Sequence, residues 1–307
     1  MATFTAVAAN VKQNLSAKVT TAEAESFTQQ AFSQIWEAHD WAARKTEGLV
    51  AIVADYSTGT VDTTVGSATI TGTSTVWTSA MTGRWIRIGS VPELFKFTYV
   101  SGTSGTIESP TGGTGWQATA EDDASYVIFQ HVYALASDVE QVLFPTREFR
   151  LEETTRGFID QIDPTRLTTG TSRYYAMREL SSTNAMQIEF WPRPNVAGIV
   201  RVPYLKKAPT LTGSDTVLLR QDVVTYLASH DAALYLLGKH GDEKYDRLAQ
   251  RFMSLYAGDP TDKKIGALET AIYQDQARYG QVTHLPDATA GASFSDEFLS
   301  AHDLSEF

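Results

Sequence analysis

STGTVDTTVGSATITGTSTVW, Ser57 to Trp77, decides how this chain is read. Small and β-branched residues crowd it, Gly66 offers a turn, and no helical repeat of apolar residues runs through it. The pattern predicts short strands over residues 60–65 and 67–71. The same character continues to Trp116. Residues 84–88 alternate with Trp85 placed inward, and residues 95–100 and 125–132 extend the series. The loop Ser109-Pro-Thr-Gly-Gly-Thr-Gly115 favours turns over regular structure. Short strands this closely spaced predict a small barrel or sandwich.

Helical patterns flank this region. Thr20 or Thr21 can cap a helix whose first turn carries Glu23 and Glu25, favourable at the positive end of the helix dipole. Phe27, Ala31, Ile35, Ala38 and Ala42 recur at spacings of three and four, and Phe32, Trp36 and His39 widen that face. Gly48 is the expected stop. Further on, one stripe joins Val223, Leu227, His230, Leu234 and Leu237. A second joins Tyr245, Leu248, Phe252 and Leu255, and a third joins Ile265, Leu268, Ile272 and Tyr279. Asp259-Pro-Thr261 is expected to cap the last helix, which would run about 30 Å.

Between these lie shorter elements. A brief helix is expected from Ser137 or Asp138 to before Pro145, and another over residues 155–162. Residues 174–180, 185–191 and 198–205 read as a second strand set, interrupted by Trp191-Pro-Arg-Pro194. The expected fold class is therefore α+β. A helical body with the second strand set spans 1–47 and 132–280, a small β barrel or sandwich is inserted at 48–131, and an extended tail covers 281–307.

That tail carries Asp287, Asp296, Glu297, Asp303 and Glu306 with no Lys or Arg, and also Phe294, Phe298, Leu299, Leu304 and Phe307. An acidic segment with spaced aromatics builds a core poorly but suits docking.

With 42% hydrophobic and 11% aromatic residues, 307 residues are ample for packed cores. A net charge of -11 repels nucleic acid unless a basic patch intervenes. The absence of cysteine removes disulfides, thiolate metal sites and cysteine nucleophiles. Residues 1–10 lack the basic and apolar regions of a signal peptide, and no apolar run reaches the roughly 20 residues a membrane span needs. A soluble protein is expected.

No catalytic constellation competes for attention. Gly113-Thr-Gly-Trp-Gln-Ala118 has the letters of a dinucleotide fingerprint without a strand–turn–helix around it. The six histidines, at 39, 131, 230, 240, 284 and 302, share no i, i+4 spacing. His230 is expected to be buried and satisfied by Tyr226 or a backbone carbonyl, and His39-Asp40 to form a polar helix end. The pairs Asp122-Asp123 and Glu152-Glu153 point their carboxylates to opposite strand faces. The reading is no enzyme, no cofactor and no metal.

The basic residues that stand out are Arg84 and Arg87 on one strand, and Arg193, Arg201, Lys206 and Lys207 near the second strand set. They suit pairing with carboxylates on this chain, a phosphate backbone, or an acidic neighbouring subunit. The subunit contact is favoured for this set.

Two segments carry a family resemblance. Gly72-Thr-Ser-Thr-Val-Trp77 followed by Met81-Thr-Gly-Arg-Trp-Ile-Arg87 resembles β modules of phage connector proteins. Ile188-Glu-Phe-Trp-Pro-Arg-Pro194, then Val200-Arg-Val-Pro-Tyr204, Pro209 and the helix from Arg220, is similar to the strand–proline–strand–helix pattern of head-to-tail adaptors. The resemblance, of the tail tubular A or head-completion type, implies a virion protein at the head–tail junction, assembled in the host cytoplasm. It implies a ring of copies, commonly a dodecamer, between a portal protein and a tail or nozzle protein, with double-stranded DNA passing through and no membrane partner. Phe294, Phe298, Leu299, Phe307, Arg84 and Arg87 are the expected partner contacts. Two rival readings are a glycan-binding tail module using Trp77, Trp85 and Trp116, and a cell-wall hydrolase with a scattered carboxylate site.

Overall fold

A computed structural model describes residues 2–109, 115–179, 185–259 and 264–278. The chain is α+β, and its contacts divide it into two compact units: Met1–Thr46 with Lys206–Phe307, and Glu47–Leu205. The strands of 132–205, expected with the helices, group with the β region instead.

The helical unit opens with α1 (Phe4–Asn14), capped by the Thr3 hydroxyl, which accepts from Ala6 N. This helix went unread in the sequence, yet Phe4, Val7, Ala8 and Val11 bury one face at helical spacing. α2 (Thr21–Ala38) begins at a complete capping box of Thr20 and Glu23. It ends at His39, well before Gly48.

The second unit follows with β1 (Lys45–Ile52), then β2 (Thr60–Asp62), β3 (Thr69–Thr73), β4 (Trp85–Ile88), β5 (Phe95–Ser101), β6 (Ser104–Glu108) and β7 (Tyr126–Phe129). Strands β2 to β7 form one antiparallel sheet in the order β2-β3-β6-β5-β4-β7. The sheet curls until its ends meet. Val61 and Ala124 exchange both backbone bonds, as do Tyr56 and Ile128. A nearly closed barrel leaves little free edge. Gly66, at φ +78°, makes the turn between β2 and β3. Gly105 leaves room for the Phe97 ring, which any added Cβ would strike. Inside lie Val61, Ile70, Trp77, Ile86, Ile88, Phe95, Phe97, Trp116 and Ile128. Trp85 is not among them. Ile86 and Ile88 take the inward positions, and Trp85 lies half-buried on the outer face.

Next come β8 (Val132–Ala134), β9 (Val139–Val142), β10 (Glu152–Thr154), α3 (Arg156–Ile162), β11 (Tyr174–Arg178), β12 (Gln187–Trp191) and β13 (Gly198–Lys206). They form a four-stranded sheet β10-β11-β12-β8 and, with β1, a three-stranded sheet β1-β13-β9. Val50, Ile52, Tyr133, Val139, Val142, Ile188, Phe190, Val200 and Val202 make a second core. Residues 139–142 were expected to be helical. They are a strand because pairing with β13 overrides local spacing. The helix expected over residues 155–162 is α3, with Thr155 as its cap.

The chain then returns to the helical unit with α4 (Gln221–His240), α5 (Glu243–Ala257), a two-residue pairing of β14 (Gly258–Asp259) with β15 (Lys264–Ile265), and α6 (Ala267–Arg278). The last helix is thus shorter than expected, since Asp259 belongs to that small hairpin. α4 packs against α1, α2, α5 and α6. Being surrounded, it buries Val223, Val224, Leu227, Ala228, Ser229, Ala232, Ala233 and Leu236, with small residues admitting close helix approach. Leu234, expected inside, is 43% exposed.

Candidate functional site

Within the Glu47–Leu205 unit, the three-stranded sheet has one buried and one open face. Alternation along β1 and β13 turns Val50, Ile52, Val200 and Val202 inward. It turns Glu47, Leu49, Ile199 and Arg201 outward, where Glu47 and Arg201 pair at 3.7 Å. Thr146 bridges Arg201 on the same sheet, which carries Phe144 to the outer side two residues earlier. Leu49 is 65% exposed, Ile199 58% and Phe144 49%. This is an apolar face left in water. Beside it, two open grooves of about 510 and 380 Å³ share Arg150 and Glu152, and Arg150 stacks on Phe144 at 3.9 Å.

The expected partner residues fall elsewhere. Arg84 precedes β4 and Arg87 lies on it. Three residues apart in extended backbone, they point to opposite sides. Both are half-buried, with Nε atoms that find no hydrogen-bond partner among the described residues. Burial holds the Arg84 guanidinium below its ordinary range. Phe294, Phe298, Leu299 and Phe307 lie outside the described residues.

The tryptophans proposed for sugar stacking divide. Trp77 is buried, donates to the Tyr126 hydroxyl at 2.9 Å and packs edge-on to Phe97. Trp116 is buried against Phe95. Neither has a face left for a sugar. Trp85 has Lys96 Nζ 4.1 Å above its ring and His131 beside it at 5.6 Å.

A cluster of buried charges was missed from sequence. Glu189, at the centre of β12, is fully buried; its Oε1 accepts from Arg166 Nε at 2.7 Å, and its Oε2 forms an ion pair with an Arg178 terminal nitrogen at 2.5 Å without hydrogen-bond geometry. Arg166 also binds Asp160. Burial lowers and these carboxylates raise the Arg166 pKa, with a net rise. Burial pushes Asp160 up, but Arg166, then Arg178 and Arg156, hold it below the usual carboxylate range. His131 lies 3.8 Å from Glu189. Burial first, then the charges of Arg166, Arg178, Lys96 and Arg193, pushes it well below ordinary histidine, so it is neutral at pH 7. The clue in the sequence was one carboxylate inside the apolar run 185–191. With Glu189, Arg166 and His131 all buried, this cluster organises structure rather than offering a reaction surface.

Other sequence-level candidates resolve simply. His230 pairs with Asp231 at 2.9 Å, in place of Tyr226 or a carbonyl. Arg193, like Arg201, pairs within its own chain, here with Asp55. Among the described residues, no three His, Asp or Glu side chains gather as a metal site, and no helix is long and apolar enough to cross a membrane.

Neither protein-family models nor curated proteins give any match to this chain.

Proposed function

We propose that this chain is a virion structural protein, a head-to-tail adaptor. In this reading, copies form a ring beneath the portal protein, seal the filled capsid and seat the tail or nozzle while double-stranded DNA passes. The carrying observation is the outer face of the three-stranded sheet, with Leu49, Ile199 and Phe144 exposed around the Glu47–Arg201 pair. Large apolar side chains standing in water on one sheet face favour a surface that is covered on assembly. The strand–proline–strand–helix pattern of 188–220 supports the adaptor class in particular. The net charge of -11 suits a channel that DNA traverses without sticking.

In the ring, the sheet face meets a neighbouring copy. Residues 281–307 dock on the portal through Phe294, Phe298, Leu299 and Phe307, with Arg84 and Arg87 as secondary contacts. In this reading the protein works in the virion at the head–tail junction, is assembled in the host cytoplasm, and uses neither cofactor nor metal.

Native mass spectrometry with and without portal tests the proposal. Monomers alone and a ring of copies on the portal are expected. Absence of any complex at micromolar concentration rejects the adaptor role. A saturable change in tryptophan fluorescence on adding host polysaccharide would favour a glycan-binding module instead.

A further inference from the structure

The Glu47–Leu205 unit contains two apolar cores that stay separate, one inside the barrel and one between the two smaller sheets. The chain passes between them twice. On the first passage Val53 packs with the sheets' core and Tyr56, three residues later, with the barrel's core. On the second, Ile128 lies in the barrel core and Tyr133 in the sheets' core.

An ion pair and an aromatic ring meet at the junction. Phe129 is fully buried yet belongs to neither core, and the Arg193 guanidinium lies 4.1 Å over its ring. The same guanidinium grips Asp55 with both terminal nitrogens, one bond measuring 2.9 Å. Its Nε donates to the Arg166 carbonyl at 2.9 Å. Asp55 is held in turn by its backbone N–H, which donates to the Asn195 carbonyl at 3.1 Å. Arg193 therefore touches the first passage at Asp55, the second at Phe129, and the Glu189 cluster through Arg166. Nearby, Trp85 of the barrel rests against His131 at 5.6 Å.

Apolar contacts are non-directional and tolerate sliding, whereas a guanidinium fork on a carboxylate fixes an angle. We infer that Arg193 is the pin of a joint: its contacts with Asp55 and Phe129 hold the barrel at one angle to the sheets. Without them, the barrel swings about the two passages at 53–56 and 129–132. Arg193 is a positioning residue, and the joint stands or falls on the isolated chain, whatever the adaptor's partners.

Because the chain has no cysteine, spin labels can be placed cleanly. Labels at Val65→Cys on the barrel and Gln141→Cys on β9 would be read by double electron–electron resonance on the full chain. One narrow distance distribution is expected for the parent. Arg193→Met and Asp55→Asn should each broaden it roughly twofold while far-UV circular dichroism stays unchanged, as for a released hinge. Arg193→Lys keeps the charge but loses the fork, and should fall between. Should Arg193→Met fail to fold, Asp55→Asn and Phe129→Leu carry the comparison. A parent distribution already broad, or folded variants as narrow as the parent, overturns the inference.

Discussion

Glu189 and Arg166 meet at 2.7 Å, Oε1 to Nε, and both side chains are buried. Removing one partner strands the other's charge away from water. Glu189→Ala should therefore lower stability by about 3–5 kcal/mol, and Glu189→Gln, which keeps the shape, by less. Urea unfolding followed by tryptophan fluorescence measures both. A loss within the usual surface range of about 0.5 kcal/mol would make the network a bystander.

His131 sets a pH dependence. Its folded pKa lies well below the unfolded value of 6.5, so the unfolded chain binds more protons as pH falls through 6.5. Stability should be full above pH 6.5 and decline below it, by up to about 1.4 kcal/mol per pH unit for one proton. His131→Gln should flatten that part of the curve. A variant whose curve runs parallel to the parent's between pH 5 and 7 removes His131 as the cause.

The open sheet face predicts a separation of stability from assembly. Leu49→Asp and Ile199→Asp leave no cavity, because both residues already stand in water. Each should shift unfolding by less than about 0.5 kcal/mol yet abolish ring formation on the portal. Rings of unchanged copy number in native mass spectrometry would place the interface elsewhere.

Truncation after Gly280 should weaken portal pull-down while the circular dichroism spectrum keeps its helical and strand signal. Within that segment, alanine at Phe294, Phe298, Leu299 or Phe307 should carry most of the loss, as aromatic anchors dominate interfaces. Equal capture of full and truncated chains rejects a docking role.

Thr20→Ala removes the hydroxyl that accepts from Glu23 N at 3.2 Å. A loss of about 1 kcal/mol is expected for such a cap, measured as a shift in the urea midpoint.

Much of the fold was legible because its signals are local. The Thr20 cap, the helix near 155–162, the Gly66 turn and the strands at 174–178, 187–191 and 198–206 each depend on residues close in sequence. β9 was read as a helix because its strand state depends on β13, some 60 positions away. Trp85 was placed inward because alternation gives two faces without saying which one closes the barrel. The candidate surface was less visible. Leu49 and Ile199 look like ordinary strand residues until the sheet shows that, among the described residues, nothing lies over them.

Alone, the sequence determined the α+β class, the capped helices, the β-rich stretch and the lack of cysteine chemistry, since propensity, capping and composition act over a few residues. Tertiary structure alone decided that the later strands join the barrel's unit, that Trp77 and Trp116 are core, and that Arg193 reaches Asp55, 138 positions away. Pairings between distant segments are set by packing and charge in three dimensions, and no local pattern encodes them.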